Sequence, residues 1–157
     1  MNPFEIFPLP AAVAARIRQV RADDFGNRDL APDAGDAGRP CRACLEDSRA
    51  GEAMLLFSYS PFSQPRPYRS VGPIFIHAHA CAPPRDRSVV PDQLRRRLLA
   101  LRSYDREDRM LEADIVAGTE LEPALERLLA DPAASVVHVH NARPGCFACA
   151  IRRAGES

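Results

Sequence analysis

The sequence predicts an α+β fold: a mainly antiparallel sheet, about three helices and a C-terminal β-hairpin. Three observations carry that expectation. Ser135 to Arg153, SVVHVHNARPGCFACAIRR, reads as a strand, a tight reversal and a second strand. Helical apolar spacing recurs in three separate stretches. The strand-like runs between them mix with those helices irregularly, without the regular alternation of a parallel sheet.

Taken in order, Phe4 to Leu9 reads as a first short strand. Pro10 suits the first turn of a helix, where its missing N–H is not needed. Val13, Ile17 and Val20 then fall at i, i+4 and i+7, with Arg16, Arg18 and Arg21 turned away. Asp23 to Pro40 has no apolar period and is expected as a long exposed loop. Ala53 to Tyr59 is an apolar strand, and the proline-rich stretch from Ser60 to Gly72 an ordered loop of polyproline character. From Ile74 to Cys81 the residues alternate, placing Phe75, His77, His79 and Cys81 on one face.

Pro91 to Leu101 is read as a helix burying Leu94, Leu98 and Leu101, after which Arg102 to Asp105 breaks away. Met110 to Val116 is a strand closed by Gly118. Thr119-Glu120-Leu121-Glu122 has capping-box spacing, and Pro123 is tolerable in a first helical turn. Leu121, Leu125, Leu128 and Leu129 give the last helix its buried face, and Asp131-Pro132 stops it.

Within the hairpin, Asn141 to Gly145 holds the residues that reverse a chain. His138 and His140 share one face, with Val137, Val139 and Asn141 on the other. A five-residue loop sets His140 opposite Cys146, with Cβ atoms about 5 Å apart. That is close enough for an imidazole to help form a thiolate. A shift of one residue in register separates the pair onto opposite faces.

Composition sets the outer bounds. The chain has 157 residues, 46% of them hydrophobic and 27% charged, which fits one soluble domain over residues 1–157. The N-terminal stretch lacks the basic region and apolar core of a signal peptide, and no run approaches a membrane span. Five cysteines are an odd number for a disulfide framework, so a cytoplasmic location is expected. A formal net charge of +0 argues against nucleic-acid or membrane partners. All 21 basic residues are arginine, a bias expected of a GC-rich bacterial genome. The absence of lysine excludes Schiff-base and Walker-type lysine chemistry.

Several short motifs together resemble an uncharacterised bacterial family, domain of unknown function 1203. They are PCRAC at Pro40 to Cys44, PY at Pro67-Tyr68, GPIF at Gly72 to Phe75, LRSYD at Leu101 to Asp105, and HNARPGC at His140 to Cys146. The likeness covers nearly the whole chain and is weakest over about the first 40 residues. Cys41, Arg42, Tyr68, Arg102, Tyr104, His140, Asn141, Gly145 and Cys146 fall on motif positions. Cys44 and Cys149 match no cysteine position of that family, and its SYSPF segment is more polar elsewhere. The family has no established activity, so the resemblance implies kinship and not function.

Four chemistries fit these residues. The first is a binding or regulatory module in which Arg42, Tyr68, Arg102, Tyr104, His140 and Asn141 form a pocket for an anionic small molecule. The same arginines have a purely structural alternative, pairing with carboxylates such as Asp105 to staple loops. The second is a thiol enzyme with Cys146 as nucleophile and His140 as base, Asn141 or Arg143 lying near the developing anion. The third is a zinc-stapled structural protein, in which Cys41-x-x-Cys44 and Cys146-x-x-Cys149 close a tetrahedral site. A fourth arrangement gathers His77, His79, His138 and His140 around a metal on one sheet face. Under the first reading no resident cofactor is expected.

Overall fold

Strand pairing in the computed structural model, which describes residues 3–156, divides the chain between two antiparallel sheets. The strands are Phe4–Phe7 (β1), Asp33–Ala34 (β2), Ala53–Tyr59 (β3), Gly72–His77 (β4), Leu98–Tyr104 (β5), Met110–Ala117 (β6), Val136–Asn141 (β7) and Phe147–Arg153 (β8). The helices are Ala11–Val20 (α1), Asp92–Arg95 (α2) and Leu121–Leu129 (α3), the last entered through a 3-10 turn at Gly118–Glu120. The larger sheet has the order β1-β8-β7-β5-β6 and the smaller β2-β3-β4. The class is therefore α+β, with the expected hairpin formed by β7 and β8.

Each sheet has its own core. On one face of the larger sheet, Leu99, Leu101, Val137, Val139 and Ile151 pack against Leu121, Leu125 and Leu128 of α3. The smaller sheet buries Met54, Leu55, Phe57, Ile74 and Ile76 against Ala14 and Ile17 of α1. Phe147 of β8 belongs to this second cluster, so the hairpin touches both cores.

A bulge in β8 explains how one strand serves two sides. Val139 pairs with Cys149, but the next residue, His140, pairs with Phe147. Ala148 is the extra residue, and such an insertion reverses the facing of whatever precedes it. Ala148 and Cys149 both lie in the α3 core, while the Phe147 ring stands against the His138 and His140 rings, at 5.5 and 5.9 Å.

The stretch from Pro91 to Leu101 corrects the sequence reading. Only Asp92–Arg95 is helical, and Leu98 begins the strand that lies between β6 and β7. Spacing of Leu94, Leu98 and Leu101 imitates a helix, but the operative period is two: Leu99 and Leu101 are fully buried and Leu98 is 43% exposed. Arg102 to Tyr104 does not break away and continues the strand. Gly118 permits the tight approach of α2 to the end of β6, since a Cβ there would collide with the Leu94 carbonyl oxygen. Its N–H donates to Arg97 O at 2.8 Å.

Two smaller expectations also change. Val20 is exposed, and α1 buries Ala14 with Ile17 instead. Thr119 does not cap α3, because the 3-10 turn moves the cap position to Glu120, which makes no side-chain capping bond. The segment from Asp23 to Pro40 is mostly exposed, as expected, yet Asp33–Ala34 within it pairs with β3. No helix among the described residues is long and apolar enough to cross a membrane.

The strand assignment of β5 makes an asymmetric prediction. Leu99→Ala is expected to lower the unfolding free energy by about 2–5 kcal/mol, whereas Leu98→Ala changes it by about 0.5 kcal/mol or less, both read by urea denaturation. A helix over the same residues reverses that order.

Candidate functional site

Arg42 is the centre of the site. It sits in a tight turn between Pro40 and Asp47, which pair as an isolated antiparallel bridge. The turn closes through Leu45 N to Cys41 O and Cys41 N to Glu46 O, each 3.0 Å, with Leu45 in a left-handed conformation at φ 59°. Arg42 N donates to Phe75 O on β4, and Leu9 N to Arg42 O, so the turn is bound to the smaller sheet on one side and to the α1 approach on the other.

The Arg42 side chain is 1% exposed. Its Nε donates to Phe147 O at 2.8 Å, Nη1 to Pro40 O at 2.6 Å and Nη2 to Cys146 Sγ at 2.9 Å. These bonds use three of five N–H donors, and no carboxylate pairs with the group among the described residues. Burial pulls its pKa down from the ordinary arginine value, opposed chiefly by attraction to Cys146. A guanidinium nevertheless keeps its charge in proteins.

A cavity of about 720 Å³ adjoins this group. Its walls come from the turn (Pro40, Arg42), the smaller sheet (Leu56, Pro73, Phe75), the α2–β5 junction (Arg96, Arg97, Leu98) and the hairpin loop (Asn141 to Pro144, and Cys146). Four arginines stand in this wall and no carboxylate does. Asp47, just outside, pairs with Arg97 at 3.0 Å and Arg96 at 3.6 Å. Asn141 Oδ1 is buried without a hydrogen-bond partner, while its Nδ2 faces Cys146 Sγ at 3.7 Å.

The remaining motif residues divide between a neighbouring cleft and an aromatic cluster. Arg102, His140, Gly145 and Phe147 line a 240 Å³ cleft that shares Pro73, Pro144 and Cys146 with the larger cavity. Tyr104 is buried among Phe62 and His138, with ring centroids 5.1 and 5.0 Å away, and Tyr68 lies edge-on to it at 6.3 Å. Burial raises the Tyr104 pKa, opposed by the nearby Arg102 charge. Asp105, the expected staple for Arg42 or Arg102, pairs instead with Arg109 at 2.8 Å.

The hairpin register corrects the expected Cys146–His140 opposition. The bulge pairs His140 with Phe147, and Asn141 N with Cys146 O at 2.9 Å. His140 Nδ1 donates to Gly145 O at 3.0 Å, leaving Nε2 as acceptor toward Arg102 Nη1 at 3.5 Å. No hydrogen bond joins His140 to Cys146 among the described residues; the sulfur answers to Arg42 and Asn141.

The two CxxC units also part company. Cys149 is fully buried in the α3 core, where burial pushes its thiol up to about 12. Cys41 and Cys44 instead meet His77 and Cys81, all four ligand atoms lying within 4.8 Å of one another. The four-histidine arrangement divides as well: His77 and His79 stack at 4.8 Å beside Glu52, away from the hairpin pair. Cys81 is the residue that sequence reasoning left without a role. Its signal was the spacing His77-x-x-x-Cys81 following Cys41-x-x-Cys44.

Burial, with a contribution from the Arg102 charge, holds His140 down to about 4 from an ordinary 6.5. Burial and the neighbouring His140 hold His138 down to about 3. Both are therefore neutral at pH 7. Because their folded values lie below the unfolded one, the unfolded chain binds more protons as pH falls through 6.5, and stability declines between there and about pH 3–4. The His140→Gln variant is expected to lose about 2–3 kcal/mol less than the parent between pH 7 and about pH 4.5, read by denaturant unfolding at each pH. Equal losses would mean that His140 is charged in the folded protein.

The sequence model for a protein of unknown function, DUF1203, matches residues 38–153. Every wall residue of the large cavity, from Gly38 to Cys146, falls inside that span. Comparison with curated proteins and with solved structures finds no match. The chain therefore belongs to the DUF1203 family.

Proposed function

We propose that this protein binds a small anionic molecule with an apolar body in the cavity between the two sheets. The observation that carries the reading is Arg42, a buried guanidinium with no carboxylate partner among the described residues. A buried guanidinium that has a sulfur but no carboxylate for a partner is costly, and an anion in the adjoining cavity supplies a further one. Arg143 adds positive charge around it, Arg96 and Arg97 being shared with Asp47, while Leu56, Phe75 and Leu98 offer apolar surface to the rest of the ligand. A volume of about 720 Å³ suits a small organic acid.

Several observations favour binding over thiol catalysis. Both His140 ring nitrogens are committed, to Gly145 O and Arg102, and His140 makes no hydrogen bond to Cys146 among the described residues. Five free cysteines, with Cys41 and Cys81 sulfurs 3.8 Å apart and unbonded, suit a reducing bacterial cytoplasm.

Octanoate, benzoate and inorganic phosphate serve as probes in isothermal titration and thermal melts. Octanoate is expected to bind with Kd of about 1 mM or tighter, and Arg42→Met to weaken it at least about tenfold, a loss of about 1.4 kcal/mol. Saturating octanoate should raise the parent's Tm more than that of the variant. Failure of all three probes to bind, or equal octanoate affinity in parent and variant, contradicts the assignment.

A further inference from the structure

We propose that Cys41, Cys44 and Cys81, with His77, hold one structural zinc ion. The four residues come from separate places: two from the turn that carries Arg42, one from the end of β4, and one from the chain just beyond it. Their convergence is not a by-product of one secondary-structure element.

Two opposite edges of the cluster match a tetrahedron, and all four ligand atoms lie within 4.8 Å of one another. Zinc–sulfur bonds of about 2.3 Å and zinc–nitrogen bonds of about 2.0–2.1 Å imply edges of about 3.8 Å between sulfurs and about 3.5–3.6 Å from sulfur to nitrogen. Cys41 Sγ and Cys81 Sγ are 3.8 Å apart, and Cys44 Sγ is 3.5 Å from His77 Nδ1. Three thiols and one imidazole form a closed donor set of the kind that structural zinc takes. Iron–sulfur clusters ordinarily draw on four cysteines, and a disulfide uses only two of these groups.

The surroundings stabilise a thiolate site. His77 N donates to Cys41 Sγ at 3.3 Å, and Arg18 Nη2 to Cys81 Sγ at 3.1 Å. Arg18 was expected to face solvent from α1; it reaches inward, and its Nε also binds His77 O at 3.0 Å. Three thiolates around a divalent cation leave one net negative charge, which Arg18 offsets. His77 Nε2 lies 3.5 Å from Glu52 Oε2, so the ring presents Nδ1 to the metal and its other nitrogen to a carboxylate.

Zinc binding releases the thiol protons to solvent as the sulfur–metal bonds form. The ion ties the Arg42 turn to β4 whether or not the cavity takes anions, so this inference stands apart from the preceding one.

The test is metal analysis of the whole protein after reconstitution with zinc under reductant. About one zinc per chain is expected. Cys44→Ser and Cys81→Ser should bind it at least about 100-fold more weakly, and Glu52→Gln about tenfold more weakly, while Cys146→Ser keeps it. Because a cysteine variant can fail to fold, the parent protein is also alkylated with and without zinc and mapped by mass spectrometry. Zinc should protect Cys41, Cys44 and Cys81 and leave Cys146 equally reactive. Absence of stoichiometric zinc, zinc retained without protection of those three, or a Cys41–Cys81 disulfide in freshly reduced and reconstituted protein overturns the proposal.

Discussion

A guanidinium removed from water must recover its hydration from the protein, and Arg42 recovers only part of it. Two backbone carbonyls and one sulfur replace the water, but no carboxylate among the described residues replaces the bulk solvent that screened the charge. The acceptors lie on different elements: Pro40 on the turn itself, Phe147 and Cys146 on the far side of the hairpin. The bonds to Phe147 and Cys146 therefore join the smaller sheet's turn to the larger sheet's hairpin. The cavity opens at that junction, with the remaining arginines around it.

The bulge at Ala148 makes this arrangement possible. Without an extra residue, the alternation of β8 would direct Phe147 toward α3 with Cys149. With it, Phe147 turns to the histidine face, its carbonyl accepts from Arg42, and Cys146 is left toward the cavity. Both hairpin histidines then lie buried against aromatic rings and Arg102, where the neutral imidazole is favoured. They are packing and hydrogen-bonding groups before they are bases.

Much of the fold was legible because local pattern and tertiary role agreed. Apolar β3 and the alternating β7 fall where their residues predict, and α3 buries the leucines its period selects. Leu98 misled because residues 94, 98 and 101 satisfy a helical period while the strand period from 99 to 103 is equally present. Only the two-sided pairing of β5 decides between them. Arg42, Asn141 and Cys146 were recognisable as a group from their motifs, but Arg102 falls in the adjoining cleft, and Tyr68 and Tyr104 in an aromatic cluster with Phe62 and His138. A bulge has no reliable mark in a single sequence, so the register of His140 was not readable. Cys81 was hidden differently: strand alternation placed it beside His79, whereas the strand ends at His77 and a turn brings the sulfur back to Cys41.

The central claim is that Arg42 is a buried cation awaiting an external anion. Bromide soaked into crystals of the protein, located by its anomalous scattering, tests this most directly. The account predicts a bromide against the Arg42 guanidinium within the cavity, at lower concentration than any ion beside the exposed Arg143. Bromide confined to surface arginines, with Arg42 satisfied by a carboxylate from its own chain, would contradict it.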